Sequence, residues 1–165
     1  MNQATLLAGA VCSGVFREME PRDIDRCIEV RTLVRENRYS REALRQVGIT
    51  GESVARLLAT THKGWVCEAD QRVVGFSMGN RSNGEFWVVA VLPEYEGRGI
   101  GRKLMELAVQ WLRAGGCAEI WLWTSPDVNT RAYALYRKSG WEDCGVQNGQ
   151  RIMKLREFSS AIPNG

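Results

Sequence analysis

The spacing of apolar residues changes repeatedly along the chain, and each change marks a shift between helix and strand. Residues 15–19 fit a first strand. Pro21 and Asp23 then supply helix-start chemistry, and Ile24, Cys27, Ile28 and Val34 form a partial helical stripe that carries on to Arg35. A second helix is expected from Ser40, a good N-cap, to Gly48; a third starts at Thr50 or Gly51 and carries Val54, Leu57 and Leu58. After Gly64 the period drops to two. Residues 65–69, a turn at Asp70 and Gln71, residues 73–81, a turn at Asn83 and Gly84, and residues 86–92 predict a three-stranded antiparallel meander. A further strand is expected over 118–124, then a helix opened by Ser125, Pro126 and Asp127 and running through Ser139, with Gly140 in the left-handed position that ends many helices. Residues 141–146, a turn at Asn148 and Gly149, and residues 151–158 close the chain as a hairpin.

The stretch 86–105, FWVVAVLPEYEGRGIGRKLM, organises the rest. Residues 86–92 are seven consecutive apolar positions, suited to a strand buried on both faces, and Pro93 ends it. In EGRGIG, residues 96–101, glycines at 97, 99 and 101 leave a turn nearly free of side chains. Leu104, Leu107, Ala108, Trp111 and Leu112 fall at helical spacing, which places a helix over 102–112 and the turn at its N-terminus. Unpaired N–H groups and a positive dipole end make that place an anion site. A Walker A loop does not fit, because Arg102 and Lys103 miss the spacing of its lysine and hydroxyl residue. A Rossmann turn fits poorly too: it follows the first strand of a parallel sheet, whereas about ninety residues precede this one and the segments before it look antiparallel.

Composition narrows the picture only modestly. At 165 residues with 44% hydrophobic and 25% charged residues, the chain has the material for one globular domain. A net charge of +3, with 19 acidic residues interspersed among 22 basic ones, is too mild to suggest a nucleic-acid partner. Nothing approaches a transmembrane span. The five cysteines, Cys12, Cys27, Cys67, Cys117 and Cys144, show no CxxC or metal-ligand spacing, so no metal is expected and free thiols in a reducing cytoplasm are. His62, the one histidine, is expected to be exposed between a helix and a strand. Residues 1–14 contain a short apolar run without a preceding Lys or Arg, and are expected to form a disordered tail rather than a signal peptide. Residues 159–165 are expected to form a polar tail after a single domain over 15–158.

Strand, V-x-P, then x-x-G-x-G and a helix, as VLP and GRGIG stand here, resembles the acyl-CoA-binding motif of the GNAT superfamily of N-acetyltransferases. A second segment in register supports it. NTRAYALYRKSGW, residues 129–141, resembles the family's N-x-x-A-x-x-x-Y segment followed by a glycine and an aromatic residue. The order of elements is also similar to that family's. The resemblance spans about residues 15–158 and is sharp over 86–105 and 118–145. It implies an α/β (α+β) fold: a mixed, mostly antiparallel sheet of six to seven strands, four or five helices, and a V-shaped split between the strands at 86–92 and 118–124. Glu96 departs from the pattern, since most members carry Gln or Arg there, and weaker pyrophosphate contacts are the expected result.

What the resemblance implies for chemistry is acetyl transfer from acetyl-CoA to a primary amine of a small molecule, peptide or protein. Main-chain groups of Val89 and Val91 would bind the thioester and the pantetheine amides, and the loop of Arg98, Gly99, Ile100, Gly101 and Arg102 would hold the pyrophosphate. Asn129 would hold the pantetheine arm or the helix start. Tyr136 matches the family's general acid, and a phenol of pKa about 10 can supply a proton to a departing thiolate at neutral pH. Glu85, thirteen residues before Arg98, stands where lysine-acetylating members keep a catalytic glutamate; water relayed through backbone groups is its rival as base. None of the cysteines sits where a covalent acetyl carrier would, which favours direct attack in a ternary complex. Residues 35–40, RENRYS, are expected to wall the acceptor groove, with Trp65, Trp87, Trp121 and Trp123 as candidates for its floor. Other classes left open are a non-catalytic acyl-CoA sensor and a toxin acetylating aminoacyl-tRNA, the latter disfavoured by the lack of a basic stripe. The sequence leaves the acceptor amine and a homodimer open.

Overall fold

The computed structural model describes residues 14–156, which form one seven-stranded sheet with five α-helices and two short 3-10 turns. In chain order these are β1 (Val15–Glu18), α1 (Ile24–Leu33), α2 (Arg41–Gln46), α3 (Gly51–Thr60), β2 (His62–Ala69), β3 (Arg72–Asn80), β4 (Glu85–Val91), α4 (Ile100–Ala114), β5 (Trp121–Thr124), α5 (Arg131–Lys138), β6 (Trp141–Gln147) and β7 (Gln150–Leu155). The strands lie side by side as β1-β2-β3-β4-β5-β7-β6, antiparallel except where β4 meets β5. Residues 1–13 of the tail expected over 1–14, the tail expected over 159–165 and the last residues of the expected domain fall outside the described residues. No described helix is long and apolar enough to cross a membrane.

Side-chain parity assigns the helices to faces. On β3, Gly75, Ser77 and Gly79 face α4: the Ser77 hydroxyl donates to the Leu104 carbonyl at 2.8 Å, and a Cβ on Gly79 would lie 3.3 Å from Leu112. Leu104, Ala108 and Leu112 are fully buried there, as the helical stripe requires. The alternating residues Val74, Phe76 and Met78 point to the other face, where α1 packs across β3 and β4. A β-bulge breaks the alternation on β4. Met78 pairs with Val88 but Gly79 pairs with Phe86, so Trp87 is the extra residue and the residues on its two sides change face.

Several elements start or stop elsewhere than the periodicity suggests, and in three of them the local reason is visible. The expected strand over 118–124 begins only at Trp121, because the chain is still turning out of α4: the Cys117 amide donates back to Leu112, and Gly116 takes φ +79°. The expected helix from 125 begins at Arg131. The side chains of Ser125 and Asp127 instead accept from the amides of Asp127 and Asn129, a local turn that competes with helix, and Thr130 caps α5 by accepting from Tyr133 at 3.2 Å. In the other direction α4 starts two residues early, at Ile100, with Gly99 as its N-cap at φ +81°. His62 is buried rather than exposed, at 8%: it opens β2, bonds Thr61 Oγ1 through Nδ1 at 2.7 Å and stands edge-on to Trp87, and burial holds its pKa below the ordinary value.

Candidate active site

Strand β4 is paired with β3 along its length, but with β5 only at Glu85 opposite Trp121. Beyond that bridge the strands part. The space between them is a cavity of about 360 Å³ walled by β4 from Trp87 to Val91, by Trp123 and Thr124 of β5, by the α4 N-terminus and by Tyr136 and Leu135 of α5. Residues 34–37, which follow α1, cover it. The expected V-shaped split is therefore present, and its vertex is at Glu85.

At the wide end lies the glycine loop. Gly97 and Gly99 both adopt the left-handed conformation that a side chain would strain, and the first turn of α4, whose N–H groups have no partner within the helix, lines the cavity. Gly101 needs to be small for a different reason: a Cβ there would sit 3.6 Å from Val91 and 3.7 Å from Leu135, so a larger side chain would narrow the slot. Of the residues expected to form the cradle, Gly99, Ile100, Gly101 and Arg102 line the cavity. Arg98 does not. Its guanidinium donates to the Glu94 carbonyl and stacks over Tyr95, 5.0 Å from the ring centre. Asn129 does not line the cavity either, since the turn at Asp127 takes its amide and leaves Thr130 and Arg131 at the wall.

The unusual Glu96 is neutralised by its surroundings. Its carboxylate, 19% exposed, lies 3.5 Å from Arg35 and 3.4 Å from Arg131. Glu36 meanwhile accepts from the Arg131 amide with both oxygens, at 2.8 and 3.0 Å, which places a carboxylate at the N-terminus of α5. These two neighbours tie residues 34–37 to both sides of the cavity mouth. Arg35, Glu36, Glu96 and Arg131 carry no apolar period, which is why the pattern of the sequence singled out only the segment 35–40 as a wall.

At the narrow end stands Tyr136, 6% exposed, packed edge-on to Phe86 and tilted against Trp141 at 5.9 Å. Its hydroxyl makes no hydrogen bond to the described residues. Burial pushes its pKa up to about 12, with the nearby Arg31 charge working in the opposite direction. The phenol is thus held protonated at neutral pH. Val89 and Val91 line the slot. Glu85 is half-buried at the vertex, where desolvation raises its carboxyl above the usual range, but its side chain does not wall the cavity. Among the tryptophans, Trp87 and Trp123 line it; Trp65 packs in the core against Trp111, and Trp121 donates its indole N–H to the Asn83 carbonyl and meets Trp123 edge-on.

The loop, slot and phenol fit the three parts of an acyl-CoA: N–H groups and cations for the pyrophosphate, a strand edge for the pantetheine amides and a protonated acid for the sulfur. Comparison with known proteins agrees. A 70-residue stretch is 40% identical to the mycothiol acetyltransferase of Saccharopolyspora erythraea, covering 41% of this chain and 22% of that protein. For the mycothiol acetyltransferase of Saccharomonospora viridis the figures are 36% identity over 85 residues, 45% and 28%. The chain thus spans about a quarter of the length of the curated relatives it matches. Among solved structures, the PaiA N-acetyltransferase of Thermoplasma acidophilum in complex with coenzyme A superposes with a TM-score of 0.75 at 20% identity, over 88% of this chain and 99% of that one. The ribosomal-protein-S18-alanine N-acetyltransferase of Escherichia coli gives 0.66 at 19%, over 86% and 92%. The sequence model of the acetyltransferase (GNAT) family matches residues 24–141, and the chain belongs to that family.

Proposed function

We propose that the protein transfers an acetyl group from acetyl-CoA to a primary amine by direct attack in a ternary complex. The parting of β4 and β5 beyond one bridge carries this reading, because it opens a strand edge that leads from the glycine loop to the Tyr136 hydroxyl. Val89 and Val91 present backbone groups along that edge, and the N–H groups at Ile100 to Arg102, with Arg102, Arg35 and Arg131 near, receive the pyrophosphate. The amine nitrogen attacks the thioester carbon, the carbon–sulfur bond breaks, the leaving thiolate takes the Tyr136 proton, and the tyrosinate is reprotonated by the proton that the new amide nitrogen gives up. An alkylammonium of pKa about 10.4 must first lose a proton. Glu85 receives it through water, since its carboxylate stands at the vertex rather than in the wall.

A thiol-release assay with acetyl-CoA and a panel of amines tests the reading. Amine-dependent thiol release with matching N-acetyl product is expected. Binding of acetyl-CoA without release in the presence of any amine would make the protein an acyl-CoA sensor instead.

A further inference from the structure

Arg31, the last basic residue of α1, lines the cavity within electrostatic reach of Tyr136. Its position among the described residues is unlike that of the other cations there. Arg35 and Arg131 share Glu96, and Arg102 lies 3.4 Å from Glu106. Among the described residues no carboxylate pairs with Arg31. Among those residues its hydrogen bond runs from Nη1 to the Asn37 carbonyl at 2.8 Å, and its guanidinium stacks over Tyr39 at 4.9 Å. These contacts fix the fork in place without neutralising it, and burial, the largest influence on it, works against its charge. The carboxylates that line the cavity are already engaged: Glu36 by the Arg131 amide and Glu96 by two arginines.

An amine acceptor arrives as a cation, and a half-desolvated guanidinium on its path repels it. That arrangement suits an acceptor that brings its own negative charge. Resting on the acetyltransferase reading, we infer that Arg31 receives an oxyanion of the acceptor, so that the acceptors are primary amines carrying a carboxylate close to the amine, the amino-acid class. The planar fork with unshared N–H groups matches a carboxylate in two-point contact. Polyamines and other purely cationic amines are disfavoured by the same charge.

The test compares amines that differ only in the carboxylate: lysine with cadaverine, phenylalanine with phenethylamine, and, to separate a phosphate from a carboxylate, phosphoethanolamine with ethanolamine. For the wild-type protein kcat/KM is expected to favour the carboxylated partner by about tenfold or more, the range of a charged hydrogen bond. Arg31→Gln should erase that preference through KM, and Arg31→Lys should keep part of it. Titration of the CoA-loaded protein with the same pairs, followed by tryptophan fluorescence, reads the preference independently of turnover. Equal or reversed preference in the wild-type protein overturns the inference while leaving the acetyltransferase reading intact. A preference for phosphoethanolamine alone overturns the amino-acid class. Loss of acetyl-CoA binding and of all turnover would instead count against the reading beneath it, and the wild-type comparison does not depend on whether Arg31→Gln folds.

Discussion

The two edges of β4 are built from the same seven residues and behave differently. Toward β3 the strand is fully paired, with glycines and Ser77 drawn tight under α4; toward β5 it has one bridge and then open space. The closed edge is core, where a change in volume is felt as stability. The open edge leaves backbone groups to be satisfied by something else, which is how a strand becomes a binding surface. Substitutions on the two edges should therefore separate stability from activity.

The largest effect is expected from Gly101→Val at the head of the open edge. Branched carbons there meet Val91 and Leu135 and block the slot, so calorimetry should find acetyl-CoA binding abolished in a protein that still melts cooperatively. Unchanged affinity in the folded variant would remove the basis for the cofactor site. Tyr136→Phe keeps the ring against Phe86 and Trp141 but removes the proton; kcat should fall by about 100-fold with acetyl-CoA affinity nearly constant. With the phenol pushed up to about 12, the wild-type profile should show no alkaline limb from this group near neutrality. A variant with full turnover would make Tyr136 packing only.

Glu85→Gln, at the point where the edges meet, is expected to lower kcat by about tenfold, less than a directly placed base would, because water in the slot still takes the proton. Since burial raises the Glu85 carboxyl, wild-type activity should rise with pH as that group ionises, and the variant should lose this acidic limb. Retention of both rate and limb puts the base elsewhere. The smallest effect belongs to the closed edge. Ser77→Ala removes a buried hydroxyl bonded to Leu104 and should cost about 1 kcal/mol in denaturant unfolding while KM and kcat stay put.

The same contrast explains what could be read from the residues alone. The strand over 86–92, the glycine turn and Tyr136 announce themselves through apolar runs, left-handed glycines and a family-like segment. The paired edge follows from the same alternation. The covering segment was harder, because Arg35 and Glu36 act through partners nearly a hundred residues away in one case, and polar residues at a loop carry no period that points to a partner. Arg98 and Asn129, which the family resemblance implied, do not line the cavity: the Tyr95 ring and Glu94 carbonyl hold one guanidinium, and the turn at Asp127 holds the other residue's amide. Arg31 had no distinguishing signal, since a basic residue near the end of an amphipathic helix is ordinary there.

The bulge at Trp87 has a directional consequence. Strict alternation would put Glu85 on the same side of the sheet as Val89, which pairs with Ser77 under α4; the extra residue sends Glu85 to the side of Asn80 and α1 instead, and brings Phe86, which packs on Tyr136, under α4. On the proposed roles of Glu85 and Tyr136, proton uptake and proton delivery would lie on opposite sides of one sheet, with the reacting bond in the gap between them. Deleting one residue at the bulge would reverse the order of faces at Glu85 and Phe86, so on that reading the placement of both groups rests on an odd residue count in a single strand.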